Sequence, residues 1–186
     1  MEGCGVKRCK VCRQPFEPRQ PMAVVCSLEC AKSLAVSIRG KAEKQAAIKQ
    51  RKSDRERKEK LKSRSELARE AQQAFNQWVR LRDADKPCIS CGRHHEGQYH
   101  AGHYLSVGAR PELRYEPLNV WKQCSPCNTH LSGNAVLFRQ ALVREIGLER
   151  VEWLEGPHQA KKYTTDELKA IRDEYRAKAR EFKREA

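Results

Sequence analysis

Cys88-Ile-Ser-Cys91 and Gln123-Cys124-Ser-Pro-Cys127-Asn128 bracket Tyr99-His-Ala-Gly-His-Tyr104 and a lone Asn119. Two CxxC pairs supply four soft thiolates, the ligand set of a closed tetrahedral zinc site, and they pin the ends of a segment too short to bury much core. Zinc takes the place of that core. Between Cys91 and Cys124 lie 32 residues, more than a plain zinc ribbon uses, so the intervening chain must form structure of its own. Gln98 to Val107 is rich in Tyr, His, Leu and Val, Gly108 to Pro111 supplies turn residues, and Arg114 to Trp121 is a second short apolar run. This predicts a hairpin, then the second knuckle, then a helix.

Upstream, Cys9-Lys-Val-Cys12 and Cys26-Ser-Leu-Glu-Cys30 form a second close-spaced set in a Pro-bearing, basic segment, and they predict a small N-terminal zinc finger. The ninth cysteine, Cys4, is read as a free residue at a frayed terminus. No apolar signal segment opens the sequence, so cysteine usage points to metal ligation in a reducing cytoplasm, not to disulfides.

A formal charge of +14 points to a polyanionic partner, and with no lipid-directing segment that partner is nucleic acid and not membrane. With 33% charged against 39% hydrophobic residues, a single large core is excluded and small modules joined by helix are expected. From Lys41 to Lys86 there is no Gly or Pro, and good helix formers dominate. Between Lys41 and Glu70 there are 12 basic and 6 acidic residues and few large apolar ones, which predicts a helix that is solvated or lies along phosphates. Ser63-Arg-Ser-Glu66 has capping-box spacing, and Leu67, Ala71, Phe75, Trp78 and Arg82 then share one stripe. That stripe should pack on the central module.

After Gly133, an apolar-periodic run ends at Gly147, a C-cap residue. A short helical turn follows over Leu148–Leu154, and Thr164-Thr-Asp-Glu167 caps a final amphipathic helix. These helices buttress the module, and their alternative use is to form a homodimer. The fold class expected is therefore α+β and mainly helical. Its parts are a finger over 1–40, a basic helical linker over 41–64, and a zinc-stabilised domain over 65–186 with its core at 86–134.

The order hairpin, knuckle, helix resembles the HNH, or ββα-metal, nucleases, with a treble-clef-like zinc module. Gly102-His103-Tyr104 lies where those proteins have an Asp-His pair, Leu118-Asn119-Val120 resembles the middle Asn, and Gln123-Cys124-Ser-Pro-Cys127-Asn128 resembles the Cys-x-x-Cys-His/Asn end. Asn128 directly after the last Cys is most similar to Holliday-junction resolvases of the endonuclease VII type. The strings His100-Ala-Gly-His-Tyr104 and Cys127-Asn-Thr-His-Leu-Ser-Gly-Asn134 extend the likeness across nearly the whole chain, to the phage NinG, or Rap, recombination family.

The resemblance implies a structure-specific DNA endonuclease of phage recombination, working in the host bacterial cytoplasm on duplex or branched DNA such as Holliday junctions and D-loops, alongside other recombination proteins. In that role His103 is the general base, because an imidazole titrating near neutrality can take a proton from water; the bland alternative is a structural or zinc-bound histidine. Asn119 braces the hairpin and fixes the histidine's orientation. Asn128 offers a hard oxygen to catalytic Mg²⁺ or Mn²⁺, with His100 and His130 as further ligands, while zinc at Cys9/Cys12/Cys26/Cys30 and Cys88/Cys91/Cys124/Cys127 stays structural. His94 and His95 read as turn residues, either able to replace a zinc ligand. Gly102 departs from the pattern, since the related proteins carry a metal-binding Asp there. His100, His130, Glu96 and Glu112 are the residues available to replace it. The alternative from another class is a non-catalytic zinc-finger protein that binds DNA and recruits recombination factors.

Overall fold

The computed structural model describes residues 5–185, so Cys4 lies outside the described residues. The chain divides into two compact units, Met1–Leu61 and Lys62–Ala186.

In the first unit, β1 (Lys7–Arg8) and β2 (Pro15–Phe16) pair antiparallel, and the turn between them carries Cys9 and Cys12. Arg13, at φ 60°, closes that turn by donating its N–H to the Cys9 carbonyl at 3.0 Å. The helix α1 (Leu28–Lys60) is capped by Ser27, whose hydroxyl accepts from the Cys30 N–H at 3.2 Å. Sequence placed the helix start at Lys41, but the cap at Ser27 starts it earlier and it runs on through Gly40. The helix is unbroken at 40/41. A mid-helix Gly costs about 1 kcal/mol, and Gly40 faces open space with helix formers on both sides. None of the residues of α1 is buried, so its helicity rests on caps and local pairs such as Asp54 with Arg57 and Gln50.

The second unit opens with the capping box the sequence contains. Ser63 N–H donates to Glu66 at 2.8 Å, and Glu66 N–H donates to Ser63 Oγ at 3.3 Å. The helix α2 (Arg64–Arg82) buries Leu67, Ala71, Ala74, Phe75 and Val79 against α5 (Thr165–Glu185), which starts at a second box formed by Thr164 and Glu167. Phe75 is fully enclosed between Tyr175 and Tyr115, at ring-centroid distances of 4.7 and 5.9 Å in edge-on geometry. Arg172 of α5, almost wholly buried, donates to Glu70 of α2 at 3.0 Å.

The hairpin pairs β3 (Tyr99–His103) with β4 (Val120–Cys124) in unbroken antiparallel register, from Tyr99 opposite Cys124 to His103 opposite Val120. The second strand therefore lies later than the expected Arg114–Trp121. Pro111 and Pro117 each open a 3₁₀ turn, at Pro111–Leu113 and Pro117–Asn119. A proline has no N–H to give a ladder, and its fixed φ favours the first position of a turn. One hairpin face, with Val120 and Ala101, joins the α2–α5 cluster. The other, with Trp121, packs on Phe138 and Leu142 of α3 (Ala135–Ile146) and on Val151 and Leu154 of α4 (Leu148–Glu155). The sheet is thus a partition between two cores.

Asp83 ties α2 to this partition. Nearly inaccessible, it accepts from the Lys122 backbone at 3.1 Å and from the Arg82 guanidinium at 2.8 and 2.7 Å, while Arg82 also donates to the Pro117 and Val120 carbonyls. No helix among the described residues is long and apolar enough to cross a membrane.

Removing Asp83 takes the acceptor from the buried Lys122 N–H and from Arg82, which is partly exposed and keeps the Pro117 and Val120 carbonyls. Asp83→Ala is therefore expected to lower the unfolding free energy by roughly 1–3 kcal/mol, read from the urea midpoint; a loss under about 0.5 kcal/mol would show that Asp83 does not tie α2 to the hairpin.

Candidate functional site

The sulfurs of Cys88, Cys91, Cys124 and Cys127 all lie within 4.8 Å of one another, and so do those of Cys9, Cys12, Cys26 and Cys30. Zinc–sulfur bonds of about 2.3 Å in a tetrahedron set sulfurs about 3.8 Å apart. Cys12–Cys26 at 3.5 Å, Cys26–Cys30 at 3.7 Å and Cys91–Cys124 at 4.0 Å match that spacing, so both sets fit structural zinc. Burial and the hydrogen bonds between crowded thiols push Cys124 up to about 12, and hydrogen bonds from its neighbours raise Cys26 to about 12. At Cys9, burial opposes ionisation, but backbone groups of Val11, Cys12 and Cys26 draw the thiol down to about 6. Four thiols so close cannot all ionise without a cation among them. His95 Nε2 lies 3.2 Å from Cys91 Sγ, beside a set of four that is already complete, and His94 is exposed.

The backbone extends this clamp outward. Gly92, at φ 67°, donates to the Cys88 carbonyl at 2.8 Å, Ile89 N–H donates to the Lys122 carbonyl, and Ser125 N–H donates to the Gln98 carbonyl. Past Cys124 the chain makes one π-helical turn, Pro126–His130, closed by Leu131 N–H on the Pro126 carbonyl at 3.1 Å. Ser132, Gly133 and Asn134 then adopt positive φ in succession and reverse the chain into α3.

Without a bulge in β3, alternate side chains leave opposite faces. His100 and Gly102 share a face with Gln123 and Trp121; Ala101 and His103 share the other with Lys122 and Val120. The first face meets the π-helical turn. There Asn128 Nδ2 donates to His100 Nδ1 at 2.9 Å, so the bare nitrogen of His100 faces an amide whose half-turn would bring its oxygen alongside. His130 is exposed.

On the second face, His103 Nε2 lies 3.0 Å from the Arg114 carbonyl oxygen. A carbonyl only accepts, so Nε2 carries the hydrogen and Nδ1 keeps the lone pair. Burial lowers the His103 pKa below the ordinary imidazole range, partly offset by the Arg114 carbonyl. Burial thus favours the neutral ring, and the carbonyl holds it in one tautomer. Asn119, wholly buried, holds the loop that follows: its Oδ1 accepts from Leu105 N–H at 2.9 Å, and its Nδ2 donates to the Leu105 and Leu113 carbonyls at 3.0 and 3.2 Å. His103 and Asn128 are thus on different faces, and the residue brought to Asn128 is His100.

The structure also explains Gly102. A Cβ there would lie 2.1 Å from Gln123 Oε1 and 3.0 Å from Gln123 Cβ. Gln123 cannot retreat, because it is fully buried and its Nε2 donates to Ser90 Oγ and the Gly133 carbonyl, both at 2.6 Å. The position is closed to an Asp by packing. Of the residues available to replace that Asp, Glu112 is engaged by Arg110 at 2.6 Å and Glu96 is exposed. Sequence reasoning singled out Gly102 but quoted Gln123 only as the residue that precedes Cys124.

Comparison with known families matches residues 2–185 to the family described as Bacteriophage Lambda NinG protein. Protein ninG of Salmonella phage P22 is 40% identical over 191 residues, covering 95% of this chain and 94% of the relative. Protein ninG of Escherichia phage lambda is 40% identical over 191 residues (95% and 93%), and that of Escherichia phage 933W 38% identical over 188 (95% and 94%). No solved structure matches the chain.

Two outcomes test this geometry. Native mass spectrometry should count two zinc ions per chain, and Cys124→Ser should remove one and unfold the second unit, since metal binding there is folding energy. Gly102→Asp, which writes the missing carboxylate back, should destabilise by about 1–3 kcal/mol through overpacking. Adding Gln123→Ala should recover part of that loss in the same thermal melt; no recovery would clear Gln123 as the cause.

Proposed function

Because the chain belongs to the NinG family of bacteriophage lambda-like proteins, we propose that it is a structure-specific endonuclease of phage recombination that hydrolyses phosphodiester bonds in branched DNA. The observation that carries this reading is the state of His103, a neutral imidazole whose tautomer is fixed by the Arg114 carbonyl, on a strand whose other face presents the His100–Asn128 pair. The HNH resemblance and the charge of +14 support it.

His103 Nδ1 accepts a proton from the attacking water as its oxygen forms the new bond to phosphorus, and the bond from phosphorus to the leaving oxygen breaks. Nε2 stays on the Arg114 carbonyl and keeps the ring aimed. Asn128, with its amide turned, and His100 are the residues that would hold Mg²⁺ or Mn²⁺, and a divalent ion there would neutralise charge on the phosphate and leaving oxygen. Since His100 and His103 leave opposite faces, the scissile phosphate must lie across β3, which has a single partner strand.

His103→Ala is expected to slow cleavage of a junction substrate about a hundredfold or more, leaving zinc content and DNA affinity unchanged. Asn128→Ala and His100→Ala should also lose cleavage, with partial recovery at high Mn²⁺. Rate should hold through pH 7 and fall below the ordinary imidazole value of 6.5, because burial lowers this pKa. Stability follows the same sign. The folded pKa is depressed, so His103's contribution is fully present above the unfolded value and is lost as pH falls toward the folded one. Cleavage by His103→Ala at the parent rate would overturn the mechanism. A parent that binds junctions and cuts nothing with either ion would leave a recruiting role in its place.

A further inference from the structure

A groove of about 470 Å³ runs along the outer side of α2, lined by Arg64, Arg69, Gln72, Gln73, Asn76 and Arg114 and by no carboxylate. Its polar groups are ordered in one direction. Arg114 Nε donates to Gln72 Oε1 at 2.7 Å, and Gln72 Nε2 donates to Asn76 Oδ1 at 2.7 Å. These bonds occupy the amide oxygens of Gln72 and Asn76 and leave N–H groups of Arg114 and Asn76 over. Arg64 is likewise anchored through Nε, on the Tyr163 carbonyl at 2.8 Å, and the Arg114 guanidinium sits 5.4 Å from the Tyr115 ring centre. Two of the three guanidiniums are therefore held in place with their outer nitrogens spare, which lowers the entropy lost when an anion is gripped.

Acidic groups near this helix are engaged elsewhere. Glu70 is taken by Lys62, Arg172 and Arg176, and Glu66 by the Ser63 cap. From Arg64 to Asn76 the helix rises roughly 18 Å, the length of about five nucleotides of one duplex strand at about 3.4 Å each. A repeating anion of that reach fits better than a single phosphate. Arg114 also joins the groove to the candidate base: its side chain lines the groove while its carbonyl holds His103.

We propose that the α2 groove binds the sugar–phosphate backbone of one DNA strand and leads that strand to His103. The proposal rests on DNA as the partner, as read above, but not on cleavage. Arg69→Gln with Asn76→Asp is the test pair, because Arg69 makes no ion pair among the described residues and Asp retains the acceptor that Gln72 uses. With the full-length protein and a fluorescently labelled duplex, anisotropy should show affinity reduced roughly tenfold and a salt dependence shallower by about one in log–log slope, at unchanged zinc content and melting temperature. Arg80→Gln, an exposed arginine of the same helix outside the groove, should change affinity by less than about twofold. Unchanged affinity and slope in the double variant, an equal loss in Arg80→Gln, or a parent preference for RNA would overturn the proposal. A parent that binds duplex through these residues yet never cuts would uphold it while removing the nuclease reading.

Discussion

The four clustered sulfurs of Cys88, Cys91, Cys124 and Cys127 are the constraint on which the second unit depends. Cys124 ends β4 and Cys127 lies in the π-helical turn, so whatever holds these sulfurs also fixes where the strand stops and where Asn128 stands. The knuckle at Cys88 is tied to the same strand by Ile89 on Lys122. A small module without a large core thereby holds an amide and an imidazole at bonding distance across two elements.

The hairpin partitions the chemistry as well as the packing. One face looks to α3 and carries His100; the other looks to α2 and carries His103. Side chains that meet in one site from a single strand share parity. Here the odd spacing sends the two imidazoles to different neighbours: His100 meets the Asn128 amide, and His103 is buried against the Arg114 carbonyl.

Much of this was legible in the residues. The cysteine spacings located both clusters, and the capping boxes at Ser63 and Thr164 located two helix starts, because ligand geometry and cap hydrogen bonds are local. The second strand was misplaced because an apolar count over Arg114–Trp121 ignored what Pro117 forbids. The start of α1 was missed because Ser27 lies inside the cysteine set and was read only as a spacer between ligands. The role of Gln123, which occupies the volume beside Gly102, was not legible, since complementarity across a sheet has no trace in the order of residues along the chain.

The absence of any buried residue in α1 has a mechanical meaning. Its 33 residues span about 50 Å as a rod carrying 11 basic and 5 acidic side chains, so like charges repel along it with no buried contact to offset them. Ions that screen that repulsion act as its mortar. Where α2 and α5 answer to temperature and denaturant through the core they share, α1 answers first to the ionic composition of the solution around it.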